Sequence, residues 1–248
     1  MLRSLPLVAL LGGLLLSASA QAVDVDPATY GYPITNPFEA TIATTPPQMR
    51  PYLPSEDDIR QSDYSLTMRP EREFTLPANF WAVKKLSYRM ARQDHPAPLI
   101  FLIAGTGAPY DSSLNEFLKK LFYQAGYHVV QLSSPTSYDF MSAASRYATP
   151  GISQYDAEDL YRVMQAIRAQ QADVPVTDYY LSGYSLGALN AAFVSHLDET
   201  RKSFNFKKVL MLNPPVNLYT SISNLDKLVQ TEVKGINNST TFYELVLN

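Results

Sequence analysis

Short apolar runs alternate with amphipathic stretches along most of the chain, and this alternation predicts its helices and strands. Residues 99–104 form a continuous apolar run, which is typical of a strand buried on both faces. The next stretch predicts a helix that ends at Gly126. Its apolar face consists of Leu114, Phe117, Leu118, Leu121 and Phe122. Ser113 and Glu116 have the spacing of a capping box at the start of this helix.

The same alternation continues on both sides of this unit. A second helix is predicted from the spacing of Leu160, Val163, Met164 and Ile167. Further strands are predicted at residues 72–76, 84–91, 127–132, 179–181 and 209–212, the first two as antiparallel neighbours. Strands that alternate with helices of this length form a mostly parallel sheet with helices on both faces. The predicted fold class is therefore α/β.

The most informative stretch is residues 178–190, Asp-Tyr-Tyr-Leu-Ser-Gly-Tyr-Ser-Leu-Gly-Ala-Leu-Asn. It reads as an apolar strand, a Gly-x-Ser-x-Gly turn and a helix. In so tight a turn Gly183 and Gly187 leave room that side chains would fill, and the strained backbone lifts Ser185 clear of the sheet. The helix that follows points its N-terminal amides at the place where an oxyanion would form. A turn without chemistry is the alternative, but the strand before it and the helix after it favour a nucleophile elbow.

On this motif the chain resembles the α/β-hydrolase family over about residues 72–216, which would be the family's first six core strands. The resemblance implies an α/β-hydrolase fold, here C-terminally incomplete, with Ser185 as the nucleophile. It also implies that Leu186 supplies one oxyanion amide. The other would come from the loop after the third strand, through Thr106 or alternatively Gly107.

The Gly-Thr-Gly at residues 105–107 has two other interpretations. A dinucleotide fingerprint would need a glycine at position 110, where Tyr110 stands, and would follow the first strand of the unit rather than the third. A plain strand-to-helix turn stays open. By the resemblance, Tyr110 and Tyr184 would form the rim of the substrate site together with the prolines at residues 214–215. Such a surface suits apolar acyl groups.

A serine nucleophile needs a base, usually a histidine that is oriented by a carboxylate. The chain has only three histidines. His95 precedes a predicted strand and His128 begins another, so both are expected at the edge of the sheet opposite the site. His196 lies on the elbow helix, roughly 16 Å along its axis from the serine. All three are expected to be surface or core residues.

The family places its acid and histidine after the seventh and eighth strands, and this sequence stops before either. The segment after Val216 is predicted to be helical to about residue 238, and residues 220–248 could begin a lid insertion. The apolar run at residues 242–247 then ends with the chain, so a fragment or a prematurely ended reading frame is the expectation. Asp226 is a weak candidate for an early acid.

The N-terminus predicts export. Residues 1–22 have a basic start, an apolar run and small residues for cleavage, which together are typical of a secretory signal peptide. The apolar run is shorter than the roughly 20 residues of a membrane span, so no transmembrane anchor is expected in the mature chain, which would be periplasmic or secreted. Residues 23–70 are rich in proline and predict an extended arm, with the hydrolase core at residues 71–219.

Composition narrows the function classes further. A formal charge of −3 provides no basic footprint for nucleic acid. Cysteine is absent, which excludes disulfides and lipid attachment at cysteine. Nothing in the sequence indicates a cofactor or a metal site, and the oligomeric state is open.

Three hypotheses follow. The first is a serine hydrolase of the carboxylic ester or thioester class that acts on a small-molecule or lipid-like acyl substrate, with this 248-residue chain inactive for want of a triad histidine. The second is a non-catalytic, hydrolase-like binding protein that keeps the elbow as a structural turn. The third is a serine peptidase on the same fold. We favour the first for the family and rank the second next, and we expect the 248-residue chain itself to be a poor catalyst.

Overall fold

The computed structural model describes residues 45–69 and 84–232, together with a few positions between residues 31 and 43, and side chains up to residue 227. The chain divides into two units, Met1–Pro51 and Tyr52–Asn248. In the first, a short 3-10 helix spans Pro47–Met49. The second contains a sheet, its helices and a 3-10 helix at Glu56–Asp58.

Six strands in the described part of the chain form one sheet, in the order β1-β2-β4-β3-β5-β6. Only β2 runs against the direction of the others, so the sheet is mixed and mostly parallel. The strands are β1 (Gln61–Leu66), β2 (Leu86–Ala91), β3 (Ala97–Ile103), β4 (His128–Leu132), β5 (Val176–Tyr184) and β6 (Val209–Leu212).

Five α-helices connect or follow these strands within the same residues. They are α1 (Ser113–Gln124), α2 (Tyr138–Ala143), α3 (Ser153–Gln170), α4 (Leu186–Arg201) and α5 (Leu218–Glu232). None of the described helices is both long and apolar enough to cross a membrane.

Both faces of β3 are buried, as the continuous apolar run predicts. Leu99, Phe101 and Ile103 belong to the main core, which also contains buried residues of α3 and α4. Ile100 belongs to a smaller cluster on the other face, against which Phe122 of α1 packs. Alternate residues of a strand point to opposite faces of the sheet, so one run of residues serves both layers.

The predicted α/β class and the predicted strands from residue 84 onward are confirmed. The segment after Val216 is helical, and its described part is α5. The predicted strand at residues 72–76 lies outside the described residues, and so do residues 1–22 and 242–247.

Two predictions were wrong. The sheet begins with β1 at Gln61–Leu66, inside the stretch that we expected to be only an extended arm. Four of its six residues are Gln, Ser and Asp, and only Leu66 is buried, so the strand has little apolar signal. The capping box is also absent, because Ser112 is the N-cap residue and α1 already includes Ser113. The Glu116 carboxylate instead bonds Arg89 of β2 and Gln131 of β4.

A buried ammonium group joins β1 and the segment before it to α1. Lys119 is fully buried, and its Nζ donates to Glu56 at 2.8 Å, to Gln61 at 2.6 Å and to Glu116. Desolvation works to raise the pKa of Glu56, but hydrogen bonds from Lys119, Lys120 and Gln61 outweigh it and lower that pKa to about 2. Removing one partner of a buried charge is costly, so this cluster holds residues 56–61 against the sheet domain.

This cluster predicts an acid-sensitive part of the stability. Since the folded-state pKa of Glu56 lies below its ordinary value of 4.5, its contribution is complete above pH 4.5 and is lost as the pH falls towards 2. Glu56→Gln should therefore lower the free energy of unfolding at neutral pH and flatten its dependence on pH in that window. Urea unfolding followed by circular dichroism measures both. The exposed neighbour Asp57 provides the control, Asp57→Asn, and identical pH profiles for all three proteins would contradict the assignment.

Candidate active site

The strand order of the sheet reverses direction between β3 and β5, whose carboxyl ends lie side by side. These strands are parallel neighbours, with Ile103 paired with Gly183. After β3 the chain returns through α1 to β4 on one side, and after β5 it continues through α4 to β6 on the other. Where connections leave adjacent strands in opposite directions, the strand ends frame a ligand-binding crevice. Ser185 and the loop that begins at Ala104 therefore meet at this switch point.

Ser185 occupies the strained position that the elbow motif predicts. Its backbone lies at φ 54° and ψ −126°, which is unfavourable for a residue with a side chain, and α4 begins directly after it. Its amide donates to Leu212 O of β6 at 2.9 Å, which anchors the turn to the sheet. The residue itself is exposed, although residues 181–183 and 186–188 on both sides are buried. Its hydroxyl is therefore accessible to a ligand.

The two elbow glycines are required by backbone contacts. A Cβ on Gly183 would lie 2.3 Å from Gly187 O, and one on Gly187 would lie 2.3 Å from Ile103 O and 2.4 Å from Ala104 O. Neither contact can be relieved by a side-chain rotation, because both involve backbone atoms. The motif thus lets β5 turn into α4 and lets α4 lie directly on the end of β3.

A third glycine, Gly105, also permits a close approach, here between the loop after β3 and the side chains of Tyr184 and Ser185. A Cβ there would lie 2.6 Å from the Tyr184 ring and 3.3 Å from Ser185 Cβ. Gly105 was not predicted as a site residue, although the Gly-Thr-Gly pattern contained the signal. Its missing side chain lets the loop approach the serine closely.

The loop continues as a β-turn at residues 105–108, closed by a 3.1 Å hydrogen bond from Ala108 N to Gly105 O. Gly107 has φ +68° and Thr106 is not among the residues with positive φ, which identifies a type II turn. Gly107 N donates to Thr136 Oγ1 at 2.7 Å. For the exposed Thr106 we find no hydrogen bond from its amide to any described residue.

The predicted oxyanion amides thus differ in availability. Leu186 is the first residue of α4, where backbone amides have no partner within the helix. Thr106 directly follows Gly105, where a Cβ would lie only 3.3 Å from Ser185 Cβ. Gly107, the alternative donor, is already engaged by Thr136. Leu186 and Thr106 are the pair that could hold an oxyanion.

The two tyrosines expected at the rim lie in different places. Tyr184 bonds through its hydroxyl to Ser112 at the N-terminus of α1, 3.0 Å away, and its ring contacts Gly105 beside the serine. The Tyr110 ring lies next to Arg89 of β2, which is separated from β5 by β4 and β3. Burial, together with the nearby Asp63 carboxylate, raises the pKa of Tyr110. The structure does not bring the Tyr110 ring together with Tyr184.

The three histidines lie away from the serine, as the sequence predicts. His128 is fully buried; its Nδ1 accepts from Gln93 N at 3.0 Å and its Nε2 lies 3.3 Å from Pro175 O. Burial lowers the pKa of His128, which favours its neutral form. His95 is exposed beside Asp94, and His196 is exposed on α4 beside Glu199.

Among the described residues, the two histidines that bond a carboxylate, His95 and His196, do not contact Ser185. Asp139, which follows β4, accepts hydrogen bonds from the hydroxyls of Ser133 and Ser137. Asp226 lies exposed on α5. Across residues 45–69 and 84–232 there is no cluster of His, Cys, Asp and Glu side chains that could hold a metal ion.

Comparisons with solved structures agree with this architecture. An esterase from Pyrococcus furiosus superposes with a TM-score of 0.50 at 14% identity, over 70% of this chain and 60% of its own. The fold is that of the α/β-hydrolases. A bacterial brefeldin A esterase matches at a TM-score of 0.47 and 14% identity, over 69% of this chain and 46% of its own. A carboxylesterase described as putative, from Lactobacillus plantarum, matches at 0.44 and 13% identity, over 75% and 67%.

At 14% identity the similarity to the Pyrococcus furiosus esterase establishes the fold alone. This chain spans between about half and two thirds of the length of those three structures. No protein-family model and no curated protein sequence matches it.

The backbone contacts of the elbow predict which glycine-to-alanine substitution lowers the free energy of unfolding more. Gly187→Ala should prevent folding or lower the free energy of unfolding by about 3 kcal/mol, because its Cβ would overlap backbone atoms of β3. Gly126→Ala is the control for space, because nothing lies within 4 Å of a Cβ at Gly126, although its φ of +88° is itself unfavourable for alanine. It should cost only about 1 kcal/mol. Urea unfolding of both variants gives the ranking, and equal losses would refute the close approach of α4 to β3.

Proposed function

We propose that Ser185 is the nucleophile of a serine hydrolase that acts on carboxylic esters or thioesters through an acyl-enzyme. The observation that carries this proposal is the combination at one point of a strained, exposed serine, a helix start and a free loop amide.

The reaction would proceed in two steps. Ser185 Oγ attacks the acyl carbon while its proton passes to a base, and the carbonyl oxygen becomes an oxyanion. The amides of Leu186 and Thr106 donate to that oxygen, where preorganised donors stabilise the developing charge. The alcohol or thiol leaves with a proton, and water then attacks the acyl-enzyme to release the acid and free serine.

Ester chemistry is favoured by the name of the Pyrococcus furiosus esterase, which superposes with a TM-score of 0.50. An exposed serine beside the Tyr184 ring suits a small-molecule or lipid-like acyl group. Export of the chain by residues 1–22, to the periplasm or the exterior, is part of the same proposal.

The residue that would accept the proton of Ser185 is not identified. None of the three histidines of the chain contacts Ser185, and each has a partner elsewhere. We therefore expect the 248-residue protein to be a slow catalyst, since loss of a triad base costs several orders of magnitude in rate. The same observation favours a second candidate, a non-catalytic binding protein in which Ser185 is only a turn residue.

A base added to the solution distinguishes the hydrolase from the non-catalytic binding protein. Without added base, a fluorophosphonate should label the purified protein only slowly. With imidazole as general base, p-nitrophenyl butyrate should release nitrophenol in a burst and add one butyryl group at Ser185, detected by intact mass and peptide mapping. Ser185→Ala should abolish the adduct, whereas Ser195→Ala, the same change further along α4, should keep it.

Two outcomes would contradict the hydrolase. One is the absence of any adduct at saturating imidazole in a folded protein, which would favour the binding protein. The other is acylation of Ser185→Ala at the wild-type rate, which would place the reaction at another residue.

A further inference from the structure

The loop after β4 is bonded to the oxyanion side of the proposed site at several points. Residues 133–137 follow β4 directly, and Ser133, Ser134 and Ser137 are buried. Their hydrogen bonds run to the loop after β3, to Asp139 and among themselves. No part of the proposed acyl transfer uses these hydroxyls as reacting groups.

The contact nearest to the proposed chemistry is made by Thr136. Its Oγ1 accepts the Gly107 amide at 2.7 Å and lies 2.8 Å from Ser134 Oγ. Ser134 N donates to Ala108 O, the last residue of the 105–108 turn, at 3.0 Å. Two residues beyond Ala108, Tyr110 N donates to Ser133 Oγ at 3.0 Å, and the Ser133 hydroxyl donates to Asp139. The turn is therefore held at its centre and beyond its end by one short loop.

The Gly107 amide is the group that decides the form of the turn. Type I and type II turns differ by a rotation of the central peptide, here the peptide between Thr106 and Gly107. In the type II form seen here, that peptide points its N–H at Thr136. A flip to type I would break this bond by turning the Gly107 N–H away from Thr136, so the loop that carries the Thr106 amide would lose this anchor.

We infer that Thr136 is a positioning residue that locks the 105–108 turn in its type II form by accepting the Gly107 amide, which leaves the Thr106 amide for the substrate oxygen. The inference rests on the proposed function, because an oxyanion has to form at Ser185 for the turn to matter. Thr136 itself does not touch the reacting atoms.

The requirement is specific for a hydroxyl. Valine has the shape of threonine but cannot accept a hydrogen bond, whereas serine keeps the acceptor and loses only a methyl group. Thr136→Val should free the central peptide, and Thr136→Ser should restore the bond. Thr177→Val, the same change at an exposed position in β5 far from the carboxyl edge, is the matched control.

Two measurements on the full chain test this. Amide hydrogen exchange, resolved by NMR, should show the Gly107 amide exchanging at least roughly fivefold faster in Thr136→Val, as expected for loss of one hydrogen bond. The imidazole-assisted acylation rate of Ser185 by p-nitrophenyl butyrate should fall roughly tenfold, because small misplacements of an oxyanion donor are costly. Thr136→Ser and Thr177→Val should stay within about twofold of wild type in both, and the melting temperatures should be similar.

Each other result has a definite meaning. Unchanged exchange at Gly107 in Thr136→Val would overturn the lock. Faster exchange with an unchanged acylation rate would overturn the positioning role. Equal loss in Thr136→Ser and Thr136→Val would assign the effect to packing and would also overturn it. Absence of acylation in the wild type would overturn the proposed function instead, and the exchange data would still decide whether Thr136 holds the turn.

Discussion

The direct contact between the backbone of α4 and the end of β3 is the constraint on which the site depends. Gly187 lies so close to Ile103 O and Ala104 O that no side chain fits between them. A helix that starts this near the sheet leaves the chain only one residue in which to turn, and Ser185 accepts a positive φ as a result. Strain in the backbone and exposure of the hydroxyl are therefore two results of one packing requirement.

Local sequence was sufficient to predict the elements that have a clear hydrophobic or glycine pattern. β3 is apolar on both faces and α4 follows a glycine-framed turn, so both were predicted together with Ser185. β1 was missed because most of its residues are polar and it lies at the sheet edge, where only Leu66 is fully buried. The capping box failed because the helix begins one residue earlier, with Ser112 as its N-cap, and because Arg89 and Gln131 engage the Glu116 carboxylate.

The components of the site that sequence reasoning missed are non-local. Gly105 is needed because a ring 79 residues later, that of Tyr184, lies against it. Thr136 contacts an amide 29 residues earlier in the chain. Neither relation leaves a periodic pattern, and both depend on β3, β4 and β5 being neighbours in the sheet. By contrast, the order of the strands places His128 at the amino edge, where it bonds backbone groups of Gln93 and Pro175 and supports the fold.

The hydrogen bond from the Ser185 amide to Leu212 O has a consequence for biosynthesis. The serine receives this partner from a strand that lies 24 residues or more further along the chain. During translation the elbow helix can form while β6 is still unmade, and domains fold progressively as they emerge. The serine would thus reach its final geometry only after β6 has joined the sheet, so the last strand of the described sheet acts as the step that completes the nucleophile.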